Sequence, residues 1–145
     1  MERKCQFPEF LEGKSHPDLY RHWLHQKAVA HRSRDRKRGN PSTTVESYKI
    51  AIHGAVLASR GVDAYTGLPL RWELLSTYDN DASKAGKREY KQGFGDLPSV
   101  DHVGDGLGAP DFRICAWRTN DAKNDLSYED FVKLCAAVVD FSKRR

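Results

Sequence analysis

The sequence predicts an α+β fold: an N-terminal helical hairpin packed on a compact ββα unit, followed by a C-terminal helix. Three observations carry this. Two stretches in the first sixty residues place apolar side chains at helical spacing and are closed by Gly39-Asn40-Pro41 and by Gly61. Residues Val100 to Asn124 then alternate as a short strand, a glycine-rich turn, a second strand and the start of a helix. Ser127 opens a last amphipathic stretch. A chain of 145 residues buries one ordinary core, so a single domain is expected over 1–145, with a helical part over 1–60 and the ββα part over 61–145.

Each element has its local reason. Residues 1–14 mix Phe7, Phe10 and Leu11 with Pro8 and Gly13, an arm expected to pack down by its aromatics. Ser15-His16-Pro17-Asp18 reads as a helix start with Ser15 as cap, and Leu19, Tyr20, Trp23, Leu24, Lys27 and Ala28 trace its stripe. Thr43-Thr44-Val45-Glu46 offers a capping box for the second helix, whose apolar face is Val45, Tyr48, Ile52, Ala55 and Val56. His22 and His25 on the first helix lack a carboxylate or cysteine to complete a metal site, and His53 is expected to be structural. Val62 to Leu70 forms a hairpin with its turn near Thr66-Gly67, and residues 73–98 read as a polar, extended insertion. Phe131, Leu134, Cys135, Val138 and Val139 should close the core over the ββα unit.

In the ββα stretch Val100 and Val103 flank Asp101-His102, and Gly104, Gly106, Gly108 and Pro110 reverse the chain. Phe112, Ile114 and Ala116 then alternate with Arg113 and Cys115 before Asn120 and Lys123 open a helix. An aspartate and an asparagine oxygen are hard ligands suited to Mg²⁺ or Mn²⁺, and a histidine beside them can take a proton from water near neutral pH. This ordered set, Asp101-His102, Asp111, Asn120 and Lys123, resembles the HNH nuclease motif, also called the His-Me finger or ββα-metal unit. The resemblance spans roughly residues 61 to 140, with its specific part in 100–124.

The resemblance implies a phosphodiesterase in which His102 is the general base and Asp101 and Asn120 hold Mg²⁺ or Mn²⁺. Asp111 stands where the family's middle Asn usually sits; whether it adds a metal ligand or orients His102 is left open, and Asp105 and Asn124 are reserve candidates. Arg118 and Lys123 flank Asn120 and are expected on adjacent phosphates. Many HNH relatives carry two Cys-x-x-Cys pairs around structural zinc. Here Asp63, Thr66, Ala116 and Thr119 occupy those places, so a zinc-knuckle-less variant held by apolar packing of Tyr65, Leu68, Leu70 and Trp72 is expected.

Composition narrows the class. Charged residues at 30% give a heavily solvated surface, and no apolar run approaches the ~20 residues of a membrane helix. With no signal-peptide core after Met1, a cytoplasmic protein is expected. Cys5, Cys115 and Cys135 are an odd set without Cys-x-x-Cys spacing, which argues against a disulfide framework. Net charge is +4, and Arg32, Arg34, Arg36, Lys37 and Arg38 fall within seven residues opposed only by Asp35, a footprint for phosphate. The leading expectation is therefore a divalent-metal-dependent HNH-type endonuclease acting on DNA rather than RNA, with a homodimer as a possible assembly. The competing one is a non-catalytic nucleic-acid-binding module with an HNH-like fold. A third is an interaction protein docking by its aromatic N-terminal arm.

Overall fold

The longest helix, α1 (Pro17–Lys37), sets the frame. In the computed structural model, which describes residues 5–41, 43–75, 85–86 and 92–144, its cap is His16 rather than Ser15. The His16 ring nitrogen Nδ1 accepts from the Asp18 amide at 3.1 Å, and Pro17 takes the first helical position, where no N–H is missed. Tyr20, Trp23, Leu24, Ala28, His31 and Asp35 are the buried side chains, a stripe of helical period that begins apolar and ends polar. Gly39, at φ 105°, turns the chain.

Helix α2 (Val45–Ser59) packs antiparallel-fashion along α1 as the second arm of the hairpin and is capped by Thr44, whose Oγ1 accepts from the Ser47 amide at 3.1 Å. It ends in a left-handed Arg60 followed by Gly61 at φ 91°. His53 is structural as expected, buried with Nδ1 2.6 Å from the Tyr20 hydroxyl. The N-terminal arm packs down by its aromatics: Phe7 meets Tyr20 edge-on, Phe10 meets Trp72, and Leu11 is fully buried. Burial of side chains as large as Tyr20, Tyr48 and Trp72 dominates the stability of such a core, since truncating one to Ala costs about 3–5 kcal/mol.

Strands β1 (Pro98–His102) and β2 (Phe112–Ala116) form a two-stranded antiparallel sheet, pairing Asp101 with Arg113 and His102 with Phe112. Val100, Phe112, Ile114 and Ala116 join the same core cluster as α1, α2, Leu70, Trp72 and Leu75. A single core thus draws on both halves of the chain. Helix α3 (Trp117–Lys123) begins three residues earlier than the sequence suggested, because Trp117 opens the helix instead of ending the strand.

Helix α4 (Tyr128–Ser142) starts at Ser127, whose Oγ accepts from the Asp130 amide at 3.1 Å. It does not close the core. None of its residues is buried, and Val132, Leu134, Val138 and Val139 are all exposed. The space they were expected to fill is already taken by α1, α2 and the 70–75 segment, so α4 is tethered at its first turn, where Tyr128 stacks on Tyr65 at 5.7 Å. Most of the polar insertion at 73–98 lies outside the described residues. Among the described residues no helix is long and apolar enough to cross a membrane.

Candidate active site

The hairpin of β1 and β2 places Asp101 and His102 at the strand's end, where one open cleft runs past both. Asp101, His102, Asn120, Lys123, Arg34 and Arg38 all line it. The strand does not bend between Asp101 and His102, since the ladder continues through both. Neighbouring side chains on a regular strand leave opposite faces, and these two do.

His102 turns toward the helical hairpin. Its Nε2 lies 2.9 Å from Asp35 Oδ2, and its ring stacks on His31 at 6.1 Å and meets Phe112 edge-on at 5.2 Å. Asp35 is fully buried and also accepts a hydrogen bond from the Tyr48 hydroxyl, with Arg38 Nη1 3.4 Å from its other oxygen. Burial by itself pushes this carboxyl up, but the bonds from Tyr48 and His102 outweigh it and hold Asp35 below the usual range. An ionised carboxylate only accepts, so His102 Nε2 carries a proton, and in the neutral ring the lone pair is on Nδ1. That Nδ1 is buried and has no partner among the described residues. Leaving such an atom unmet costs about 1–3 kcal/mol.

Asp35 was read from the sequence only as the one acid in a basic run. The signal that it belongs to the interior is its spacing: Tyr20, Leu24, Ala28, His31 and Asp35 step at four, four, three and four, so an acid continues an apolar stripe. The same periodicity divides the basic cluster. Arg34 and Arg38 share the cleft side, Arg32 Nε instead donates to the Thr43 carbonyl at 3.2 Å, and Arg36 and Lys37 are exposed away from the cleft lining.

The glycine loop after His102 is pressed onto this dyad. Asn40 Nδ2 donates to the Gly106 carbonyl at 2.9 Å and to that of Gly108 at 3.3 Å. Gly106 sits at φ 81°, and a Cβ there would lie 2.5 Å from Asp35 Oδ1, so only glycine fits. Asp111 closes the loop through its backbone, its carbonyl accepting from the Val103 amide at 2.9 Å, while its side chain pairs with Arg113 at 2.8 Å. Asp105 accepts from the Leu107 amide at 2.9 Å and is exposed.

On the other face Asp101 is buried against α3. Lys123 Nζ is 3.1 Å from Asp101 Oδ2, and the Tyr65 hydroxyl donates to the same oxygen. Asn120 Nδ2 donates to Ser99 Oγ at 3.0 Å, which commits its nitrogen and leaves its carbonyl oxygen as the ligand-type atom. Asp101 and Asn120 thus offer hard oxygen donors in one cleft, chemistry that fits Mg²⁺ or Mn²⁺, although no cluster of three or more His, Cys, Asp or Glu is set to hold a metal among the described residues. Arg118 is outside the cleft lining, its Nε 3.3 Å from Asp96 and its guanidinium laid against Gly95.

Asp63, Thr66, Ala116 and Thr119 are joined by a polar hub, not by apolar packing alone. Asp63 is buried; its Oδ1 accepts from the Tyr65 and Thr66 amides at 2.7 and 3.1 Å, and its Oδ2 from the Ala116 amide at 2.9 Å and the Thr119 hydroxyl at 2.7 Å. Leu68 is exposed, whereas Leu70 and Trp72 are buried beside the hub. Cys115, next to it, is an inert core thiol that burial and the nearby Asp63 charge push up to about 12. No protein-family model, curated protein or solved structure matches this chain, so the residues themselves carry the functional reading.

Proposed function

We propose that this protein is an HNH-type, divalent-metal-dependent phosphodiesterase that cuts DNA, with His102 as general base. The observation that carries the reading is the Asp35–His102 contact: a carboxylate fixes one nitrogen of a ring that lines the cleft and leaves the other, itself buried, without a protein partner among the described residues. Asp35 holds the imidazole in the tautomer with its lone pair on Nδ1, the nitrogen that takes the proton once water reaches it from the cleft. The ring of His31, which burial and Arg34 push down to about 4, stays neutral beside it and adds no competing charge near pH 7. Arg34 and Arg38 supply cationic donors on the same wall, suited to the oxygens of a phosphodiester. Asp101 and Asn120, on the face of β1 opposite His102 but lining the same cleft, are the residues that would hold the metal; bound there, it would supply Lewis-acid stabilisation of the phosphate and the leaving oxygen. General-base catalysis of this kind contributes roughly 10²–10⁴-fold.

The test is nicking of supercoiled plasmid DNA with Mg²⁺ or Mn²⁺. Wild type should nick and EDTA should stop it, and His102→Ala should lose roughly 10²-fold or more while melting normally. Full activity in His102→Ala would remove the assignment. A second reading, a nucleic-acid-binding module that does not cut, is favoured by one observation: Asp101 is already neutralised by Lys123. It predicts salt-dependent binding that His102→Ala leaves intact, with no nicking under any metal.

A further inference from the structure

Lys123 is the last residue of α3, one turn beyond Asn120, and its side chain and that of Asp101 are each only 7% exposed. Its ammonium lies 3.1 Å from Asp101 Oδ2 and 5.7 Å from the centre of the Tyr65 ring, whose hydroxyl donates to that same oxygen. Asp101 therefore already has a counter-charge, held in a nearly dry place where charges act strongly on one another. An exposed lysine at a helix end would wander over its neighbours; this one is fixed on the residue whose oxygen a cation would need. A divalent ion approaching Asp101 and Asn120 meets that ammonium directly.

We propose that Lys123 is a resident cation that competes with the divalent metal for Asp101. The ion enters as Lys123 leaves Oδ2, and the anionic phosphodiester in the cleft is the partner that takes the released ammonium. Metal and substrate then bind cooperatively, and the free protein holds the ion weakly. This rests on the phosphodiesterase reading for the identity of the substrate, but it has its own measurement.

The measurement is Mn²⁺ affinity by calorimetry or by the electron-paramagnetic signal of free Mn²⁺, on the full chain without DNA. Lys123→Met and Lys123→Gln should each bind Mn²⁺ about tenfold tighter or more than wild type, since the competing charge is gone. Lys123→Arg, which keeps the charge, should bind like wild type and guards against a packing effect. A short duplex should tighten Mn²⁺ binding to wild type and do so less in Lys123→Met. Unchanged or weaker affinity in both neutral variants overturns the proposal, as does absence of Mn²⁺ binding by all forms. Nicking by wild type with loss in His102→Ala, alongside unchanged Lys123→Met affinity, would sink this inference and leave the phosphodiesterase reading standing.

Discussion

On one face of β1, Asp35 gathers the Tyr48 hydroxyl and the His102 ring; on the other, Asp101 gathers the Tyr65 hydroxyl and the Lys123 ammonium. The construction is the same on both sides: a buried carboxylate, a tyrosine donor and a basic group. The outcome differs with the base. Imidazole has a second nitrogen, so binding Asp35 still leaves Nδ1 uncommitted, buried and without a partner among the described residues. An ammonium has donors only, so Lys123 and Asp101 cancel and present little to a ligand until they part. The helical hairpin holds an imidazole with one nitrogen uncommitted, and the ββα side makes a closed ion pair.

Three substitutions sharpen that contrast. On the His102 side the effect is on activity. Asp35→Asn keeps the shape but removes the anion that fixes the tautomer, and kcat for plasmid nicking should fall by about a hundredfold with KM little changed. If Asp35→Asn nicks as wild type does, the dyad is only structural. On the other side the effect is on stability. Asp101→Ala strands the buried Lys123 ammonium and should cost about 3–5 kcal/mol in denaturant unfolding. The double variant Asp101→Ala with Lys123→Met should recover much of that, and an additive loss would show the two groups uncoupled.

A further effect is a pH slope. His31 is held at about 4 in the folded protein, against about 6.5 in an unfolded chain. The unfolded state thus binds the proton first as pH falls. The stabilisation is fully present above pH 6.5 and is lost progressively down to about pH 4, by up to about 3 kcal/mol. His31→Gln should flatten the stability profile across that window, with His53, which burial also lowers, supplying the remaining slope.

Much of this arrangement was legible in the chain because it follows from local chemistry. Ser127 caps the helix it was expected to cap and Gly61 ends α2, while the cap of α2 is Thr44, one residue beyond the Thr43 that the capping-box spacing to Glu46 implied. Alternation placed both strands, and the Asp101-His102 pair lies at the end of the first. What was hidden depends on distance. Asp35 and His102 are 67 residues apart, and nothing within a run of arginines announces that one acid turns inward. Lys123 looked like an exposed phosphate contact because spacing alone does not reveal burial. The apolar face of α4 was read correctly as a face, but periodicity does not say what it meets. Asn40 was read as a helix stop, and only the fold brings it under the glycine loop.

The Asp63 hub carries a practical meaning for any assay. Its four hydrogen bonds reach the amides of Tyr65, Thr66 and Ala116 and the hydroxyl of Thr119, tying the 62–70 hairpin to the sheet with oxygen and nitrogen alone. Chelators have no hold on such bonds. On the phosphodiesterase reading, chelation should silence nicking while leaving the Asp63 hub intact, and adding the ion back should restore it with no refolding in between.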